Sequence, residues 1–186
     1  MYYMMNRIKQ VIRKPLSDTD LKTILGDCKI ITYPDLATSN NLDEVLPKAY
    51  DFVIILLLES PQSGHWTSLI TYGTQIEYVD SYSFAPDYDL THWMSPLDRF
   101  KHATCLLQGR NHLYHNFKYQ QMKQGINTCG SHVAYRCHKF QIASFNLKDY
   151  QQHVDHPIAN KAVEIASSLG YGMTGAAKHK LHDRLH

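Results

Sequence analysis

The sequence predicts an α+β fold in which helices flank a small, mainly antiparallel central sheet, and three observations carry that expectation. An unbroken apolar run and two strand-like segments around a tight turn occupy the middle of the chain. Segments of helical period with capping signals lie on both sides of them. No repeat, low-complexity tract or Pro/Gly/Ser linker divides the chain, so residues 1–186 read as one domain.

In chain order, the first helix is signalled by Ser17, then Asp18 and Asp20, then Leu21, Ile24 and Leu25 at helical spacing. Ser17 can accept from a free amide of the first turn, and the acids face the positive end of the helix dipole. A second helix is expected after Ser39-Asn40, carrying Leu42, Val45 and Leu46 until Pro47 stops it. The period then changes. Phe52 to Leu58 is a continuous apolar run of strand length, as suits a central strand covered on both faces, and it is far too short to span a bilayer. Trp66 to Tyr72 and Ile76 to Val79 read as two further strands joined tightly at Gly73-Thr74. A short helix is expected over Asp87 to Met94, and further strands over Ala103 to Leu107 and Leu113 to Tyr119. Cys129-Gly130 then opens a segment with Val133, Ala134, Cys137 and Phe140 on one face, the pattern of a helix buried against a sheet. Pro157 to Leu169, with Gly170 past its end, reads as a last amphipathic helix, and the Gly-, Lys- and His-rich tail 171–186 as mobile.

Composition narrows the function classes. With 44% hydrophobic and 19% charged residues, the chain can bury a core and is not dominated by disorder. A net charge of +2 demands no nucleic-acid partner, although the 12 histidines would add positive charge at mildly acid pH. The basic segment 1–16, with Arg7, Lys9, Arg13 and Lys14, and the tail, with Lys178, Lys180 and Arg184, could make weak DNA contacts; two solvated ends are the expected reading. Met1-Tyr2-Tyr3-Met4-Met5 followed by Arg7 and Lys9 lacks the apolar stretch of a secretory signal. The cysteines at 28, 105, 129 and 137 form no CxxC pair or dense framework, which suits free thiols in a reducing compartment. The expectation is a soluble, non-secreted monomer with no membrane partner.

The chemistry centres on Cys129. A free thiol is mostly protonated at neutral pH, so a nucleophilic cysteine needs a cation or a helix N-terminus beside it. Cys129 stands at the first turn of an apolar-faced helix, where free amides and the macrodipole favour a thiolate. Gly130 would let a substrate carbonyl approach the backbone, and the Cys129 amide could donate to an oxyanion. An isolated cysteine is more often a small buried hydrophobe, but the neighbourhood shifts that balance. His65 follows Ser63-Gly64 at the end of a loop and precedes the strand beginning at Trp66, while Asp80 ends the strand Glu77-Tyr78-Val79. A hairpin sets the first residue of one strand beside the last of its partner, which brings the imidazole and the carboxylate together. The carboxylate would then orient the ring and stabilise the imidazolium.

Gly64-His65-Trp66, Val79-Asp80-Ser81-Tyr82, and a glutamine-containing loop ending in Asn127-Thr128-Cys129-Gly130 together resemble the adenain-type cysteine proteases. That group includes the adenovirus maturation protease and the proteases that remove ubiquitin-like modifiers. The resemblance covers roughly residues 29 to 145 and is nearest to the short forms of virophages, Polinton-type elements and large DNA viruses. It implies a papain-related fold with the nucleophile at a helix N-terminus. In that reading Cys129 and His65 form a thiolate–imidazolium pair, Asp80 fixes the ring, and Trp66 walls the cleft. An upstream glutamine helps to hold the oxyanion. Gln120, Gln121 and Gln124 are the candidates, with Gln121 preferred because Gln124 is close to Cys129. No metal or organic cofactor is implied. Two positions depart from the usual pattern: Ser83 stands where glycine is usual and Ser131 where arginine is common. The implied activity is a cysteine endopeptidase that processes capsid or core precursor proteins in the virion and the host cytoplasm. The alternatives are removal of ubiquitin- or SUMO-like modifiers, or acetyl transfer as in YopJ-type effectors. A zinc site from Cys129, His132, Cys137 and His138 is disfavoured, because their helical spacing does not converge four ligands.

Overall fold

The computed structural model describes residues 13–46, 52–60, 63–88, 102–114, 118–120, 126–143 and 148. The helix expected over Pro157 to Leu169, the tail, and most of the helix expected after Asp87 lie outside the described residues.

The first helix, α1 (Asp18–Leu25), begins as its sequence dictates. Ser17 Oγ accepts from the Asp20 amide at 3.1 Å, the Asp20 carboxylate accepts from the Ser17 amide at 3.0 Å, and Gly26 ends the helix at φ 81°. β1 (Lys29–Thr32), a strand that the sequence pattern did not indicate, leads into a 3-10 segment over Tyr33–Thr38. The short helix α2 (Leu42–Val45) is capped by Asn41. β2 (Phe52–Ser60), β3 (Ser63–Tyr72) and β4 (Gln75–Val79) form the centre of the sheet. α3 (His102–Leu107), β5 (Asn111–Tyr114) and α4 (Cys129–Ala143) complete the described elements.

The sheet has five strands in the order β1-β2-β3-β4-β5. The pairs β2/β3 and β3/β4 are antiparallel, as expected, whereas the outer pairs β1/β2 and β4/β5 are parallel. The protein is thus α+β with a mixed sheet. β2 alternates between two apolar layers. Val53, Ile55 and Leu57 join Leu36, Leu42, Val45, Leu69 and Leu107, while Phe52 and Ile54 join Leu21, Leu25, Ile70, Val133 and Ala134. Both faces are therefore covered, which is why its sequence is apolar without a break. Each fully buried leucine contributes about 1.5–3 kcal/mol from its removal from water.

Three expectations need correction. Ala103 to Leu107 is helical rather than a strand. Ala103 and Leu107, one turn apart, are its buried positions. Its first amides are held by a distant carboxylate: Ala103 N and Thr104 N donate to Asp87 at 3.2 and 2.7 Å. Tyr33 also donates to Asp87 and accepts from His102 N at 3.0 Å. A short apolar run does not reveal its own period, and this cap comes from elsewhere in the chain. The strand expected over Leu113 to Tyr119 begins earlier, at Asn111, and runs parallel to β4 with its described residues exposed. Finally, His65 does not end a loop. β2 continues through an irregularity to Ser60, so β3 starts at Ser63 and His65 lies inside the strand opposite Leu57.

Candidate active site

Gly64 is required by the close approach of two strands. A side chain there would meet the Leu57 carbonyl oxygen at 2.6 Å and Leu56 Cδ1 at 2.9 Å. The next residue, His65, is buried at the end of the sheet where β3 runs beyond its last pair with β4, Ser68 with Val79. Asp80 follows β4 directly and opens a tight turn. Ser83 N donates to Asp80 O at 3.1 Å, and Tyr82 N donates to Asp80 Oδ1 at 2.6 Å. Ser83 takes φ 67° in this turn, a left-handed conformation that glycine adopts without strain.

The second carboxylate oxygen, Asp80 Oδ2, lies 3.0 Å from His65 Nε2, with both side chains buried. That contact leaves Nδ1 for the third group. Cys129 is the first residue of α4, and its thiol is in hydrogen-bonding contact with the His65 imidazole. Burial opposes charge on both partners, and the pairing overcomes it. The Asp80 carboxylate and the Cys129 sulfur hold the His65 imidazolium well above the usual histidine range. The His65 cation, with the amides of Trp66 and Gly130, brings the Cys129 thiol below the usual thiol range. Such a pair titrates as a unit.

Trp66 and Gly130 are close neighbours in packing. Trp66 is buried, and its indole N–H donates to Leu16 O at 2.8 Å. A side chain on Gly130 would stand 3.0 Å from both Leu16 Cβ and Trp66 Cδ1. Glycine at 130 therefore lets the start of α4 seat against Leu16 and Trp66, a reason separate from the approach of a substrate. Asn127 Nδ2 donates to Arg13 O at 2.8 Å, a second tie between the segment before α1 and the loop before Cys129.

Of the three glutamines, Gln121 and Gln124 lie outside the described residues. Gln120 is buried. Its Oε1 accepts from Ser81 Oγ at 2.9 Å, and its Nε2 donates to Tyr82 Oη at 2.9 Å and to Ile126 O at 3.2 Å. Its backbone amide donates to Ser81 O at 2.8 Å. Sequence reasoning gave no role to Tyr82, whose ring stacks on His65 with centroids 4.9 Å apart. Its place two residues after Asp80 was the available signal. Of the disfavoured zinc ligands, Cys129 meets His65, and Cys137 Sγ donates to Ser68 Oγ at 3.7 Å. Buried Ser131, at the position where arginine is common, lies in the first turn of α4.

No family model matches the chain. It is 26% identical over 160 residues to the uncharacterized protein V9 of the Sputnik virophage, covering 81% of this chain and 89% of that one. Among solved structures it is similar to the C-terminal protease domain of Ulp1 in complex with Smt3, the yeast orthologue of SUMO. That likeness has a TM-score of 0.44 and 16% identity, covering 89% of this chain and 81% of the other. The central domain of an uncharacterized Legionella pneumophila protein, Lpg1148, gives 0.38 and 14%, with 93% and 99% covered.

Proposed function

We propose that the chain is a cysteine endopeptidase that processes capsid or core precursor proteins during virion maturation, in the virion and the host cytoplasm. One observation carries the chemical part: a single buried imidazole touches a carboxylate at one nitrogen and leaves the other to a thiol at a helix N-terminus. The viral sequence relative supports the setting.

In this reading the Cys129 thiolate attacks the scissile carbonyl carbon, forming the S–C bond as the carbonyl π electrons move onto oxygen. The developing oxyanion meets the Cys129 amide at the start of α4, where the helix has no earlier carbonyl to bond. Gln120 can serve as a second donor in this reading, since its Nε2 can exchange the Ile126 carbonyl for the oxyanion; Gln121, preferred on sequence grounds, and Gln124 lie outside the described residues. Collapse of the intermediate breaks the C–N bond, and the His65 imidazolium gives its proton to the leaving amine. The now neutral imidazole takes a proton from water, which attacks the thioester and releases the acid. Asp80 holds the ring through both transfers.

The test incubates wild type and Cys129→Ala with candidate capsid precursors, a Gly-Gly-linked modifier fusion, and acetyl-CoA with an acceptor protein. The expected result is precursor cleavage that falls by at least about three orders of magnitude in the variant. Cleavage of the fusion alone would replace the substrate. Acetyl transfer without cleavage would replace the reaction. Equal cleavage by both proteins would overturn the assignment of Cys129.

A further inference from the structure

Tyr82 joins the two halves of the site. Its ring lies on His65 at a centroid distance of 4.9 Å, with the planes 27° apart. Its backbone amide donates at 2.6 Å to Asp80 Oδ1, the carboxylate oxygen not used by His65. Its phenol oxygen accepts from Gln120 Nε2 at 2.9 Å, and that nitrogen also reaches Ile126 O in the loop leading to Cys129. Gln120 Oε1 returns to Ser81, between Asp80 and Tyr82. The base, its orienting carboxylate and the approach to the nucleophile therefore share one aromatic residue.

We propose that Tyr82 is a positioning residue with two separable parts: the ring fixes the plane of the His65 imidazole, and the hydroxyl sets the amide of Gln120. This inference rests on the thiolate–imidazolium reading of Cys129 and His65. A stacked ring holds the imidazolium in the plane in which it meets the Cys129 sulfur; without the ring that contact weakens, and the thiol loses part of the pairing that lowers it. The titratable groups that act on His65 are Asp80, from the turn after β4, and Cys129, from α4. Both lie in contact with the ring nitrogens, whereas Tyr82 lies on a face of the ring. The hydroxyl part acts differently. Tyr82→Phe keeps the stack and leaves Gln120 tied to Ser81 and Ile126, but it frees one amide hydrogen to turn away.

The two parts are read by two measurements on the full chain that need no knowledge of the natural substrate. The first is the pH profile of Cys129 alkylation by iodoacetamide, located by mass spectrometry, in wild type, Tyr82→Phe and Tyr82→Leu. Tyr82→Leu is expected to move the acid limb upward, with alkylation at pH 6 slowed about threefold or more, whereas Tyr82→Phe keeps the wild-type profile. The second is turnover of p-nitrophenyl acetate in Tyr82→Phe, Gln120→Ala and the double variant. Tyr82→Phe is expected to lower kcat severalfold at unchanged KM, and to lower it no further in the Gln120→Ala background. A folded Tyr82→Leu protein with the wild-type profile overturns the role of the ring. Full additivity of the two kcat losses overturns the role of the hydroxyl, and that arm stands even where Tyr82→Leu does not fold. A wild-type Cys129 that alkylates like an ordinary thiol contradicts instead the thiolate–imidazolium reading on which both parts rest.

Discussion

Two thiols on α4, about two helical turns apart, are driven in opposite directions. Cys129 and Cys137 are both buried, so water stabilises neither thiolate. At Cys137 desolvation wins: the one polar side-chain contact is with Ser68 Oγ, the nearby Arg136 guanidinium is answered by Glu77, and the thiol is pushed up to about 12. At Cys129 the same penalty is overcome by the His65 cation and by the amides of Trp66 and Gly130. The difference lies in the partners, and the partners depend on position along the helix. The first turn has backbone amides free to meet a thiolate and lies at the sheet end that holds His65, whereas Cys137, in the middle of α4, meets Ser68 further along β3. Cysteine type and burial alone distinguish neither site; the dipole end and the residue of β3 that each thiol meets do.

The largest expected effect sharpens this contrast. Cys129→Ala should lower turnover by at least about three orders of magnitude while leaving the melting temperature near wild type. Cys137→Ala should do the reverse, losing about 1–2 kcal/mol in denaturant unfolding with activity per folded molecule retained. If Cys137→Ala abolished turnover in a folded protein, the division between the two thiols would be wrong.

The same division separates two buried ion pairs. Arg136 grips Glu77 at 2.8 and 2.6 Å, and Tyr72 both donates to Glu77 at 2.8 Å and lies under the guanidinium. Arginine does not give up its proton, so this pair holds shape and moves no charge. His65 and Asp80 form a pair whose cation can give up a proton. Changing each carboxylate to its amide tests the distinction. Glu77→Gln should cost about 3–5 kcal/mol of stability, because a buried guanidinium loses its counter-charge. Asp80→Asn should leave unfolding much closer to wild type and lower turnover by about 10²- to 10⁴-fold, through loss of ring orientation.

The pH dependence has a defined sign. Since the Cys129 thiol is lowered, its thiolate forms on an acid limb below the ordinary thiol range; since the His65 imidazolium is raised, it is lost on an alkaline limb above the ordinary histidine range. The profile of kcat/KM should therefore be a bell over that window. His65 adds to stability below the ordinary histidine value, and this contribution disappears as pH rises through its raised native value. The thiolate of Cys129 adds to stability above the ordinary thiol value, a contribution lost as pH falls through its lowered one. A profile that rose only with the ordinary titration of a free thiol would remove the pairing. The smallest effect belongs to the turn after Asp80. Ser83→Gly should stabilise the protein by up to about 1 kcal/mol, measured by urea unfolding, since serine carries the left-handed conformation at a cost that glycine avoids.

The sequence made some of this arrangement legible and hid the rest for physical reasons. The β3–β4 hairpin was readable because its period and the Gly73-Thr74 turn are local, and with it the proximity of His65 and Asp80. The start of α4 at Cys129 was readable from the apolar face of the helix. Contacts between residues distant in sequence left no such trace. Glu77 and Arg136 are 59 positions apart, and Asp87 caps α3 from across residues 89–101. β1 is a short strand of four half-buried residues and shows no alternation. The contacts of Gln120 with Ser81, Tyr82 and Ile126 are likewise made by three-dimensional folding and leave no trace in the local pattern.

The most direct test of the central claim is to quench the enzyme during turnover of a cleaved precursor and find the acyl group by mass spectrometry. The thiolate–imidazolium account predicts a thioester on Cys129 that is absent in His65→Ala, with none on Cys28, Cys105 or Cys137. An acyl group on another cysteine, or full cleavage by Cys129→Ala, would contradict it.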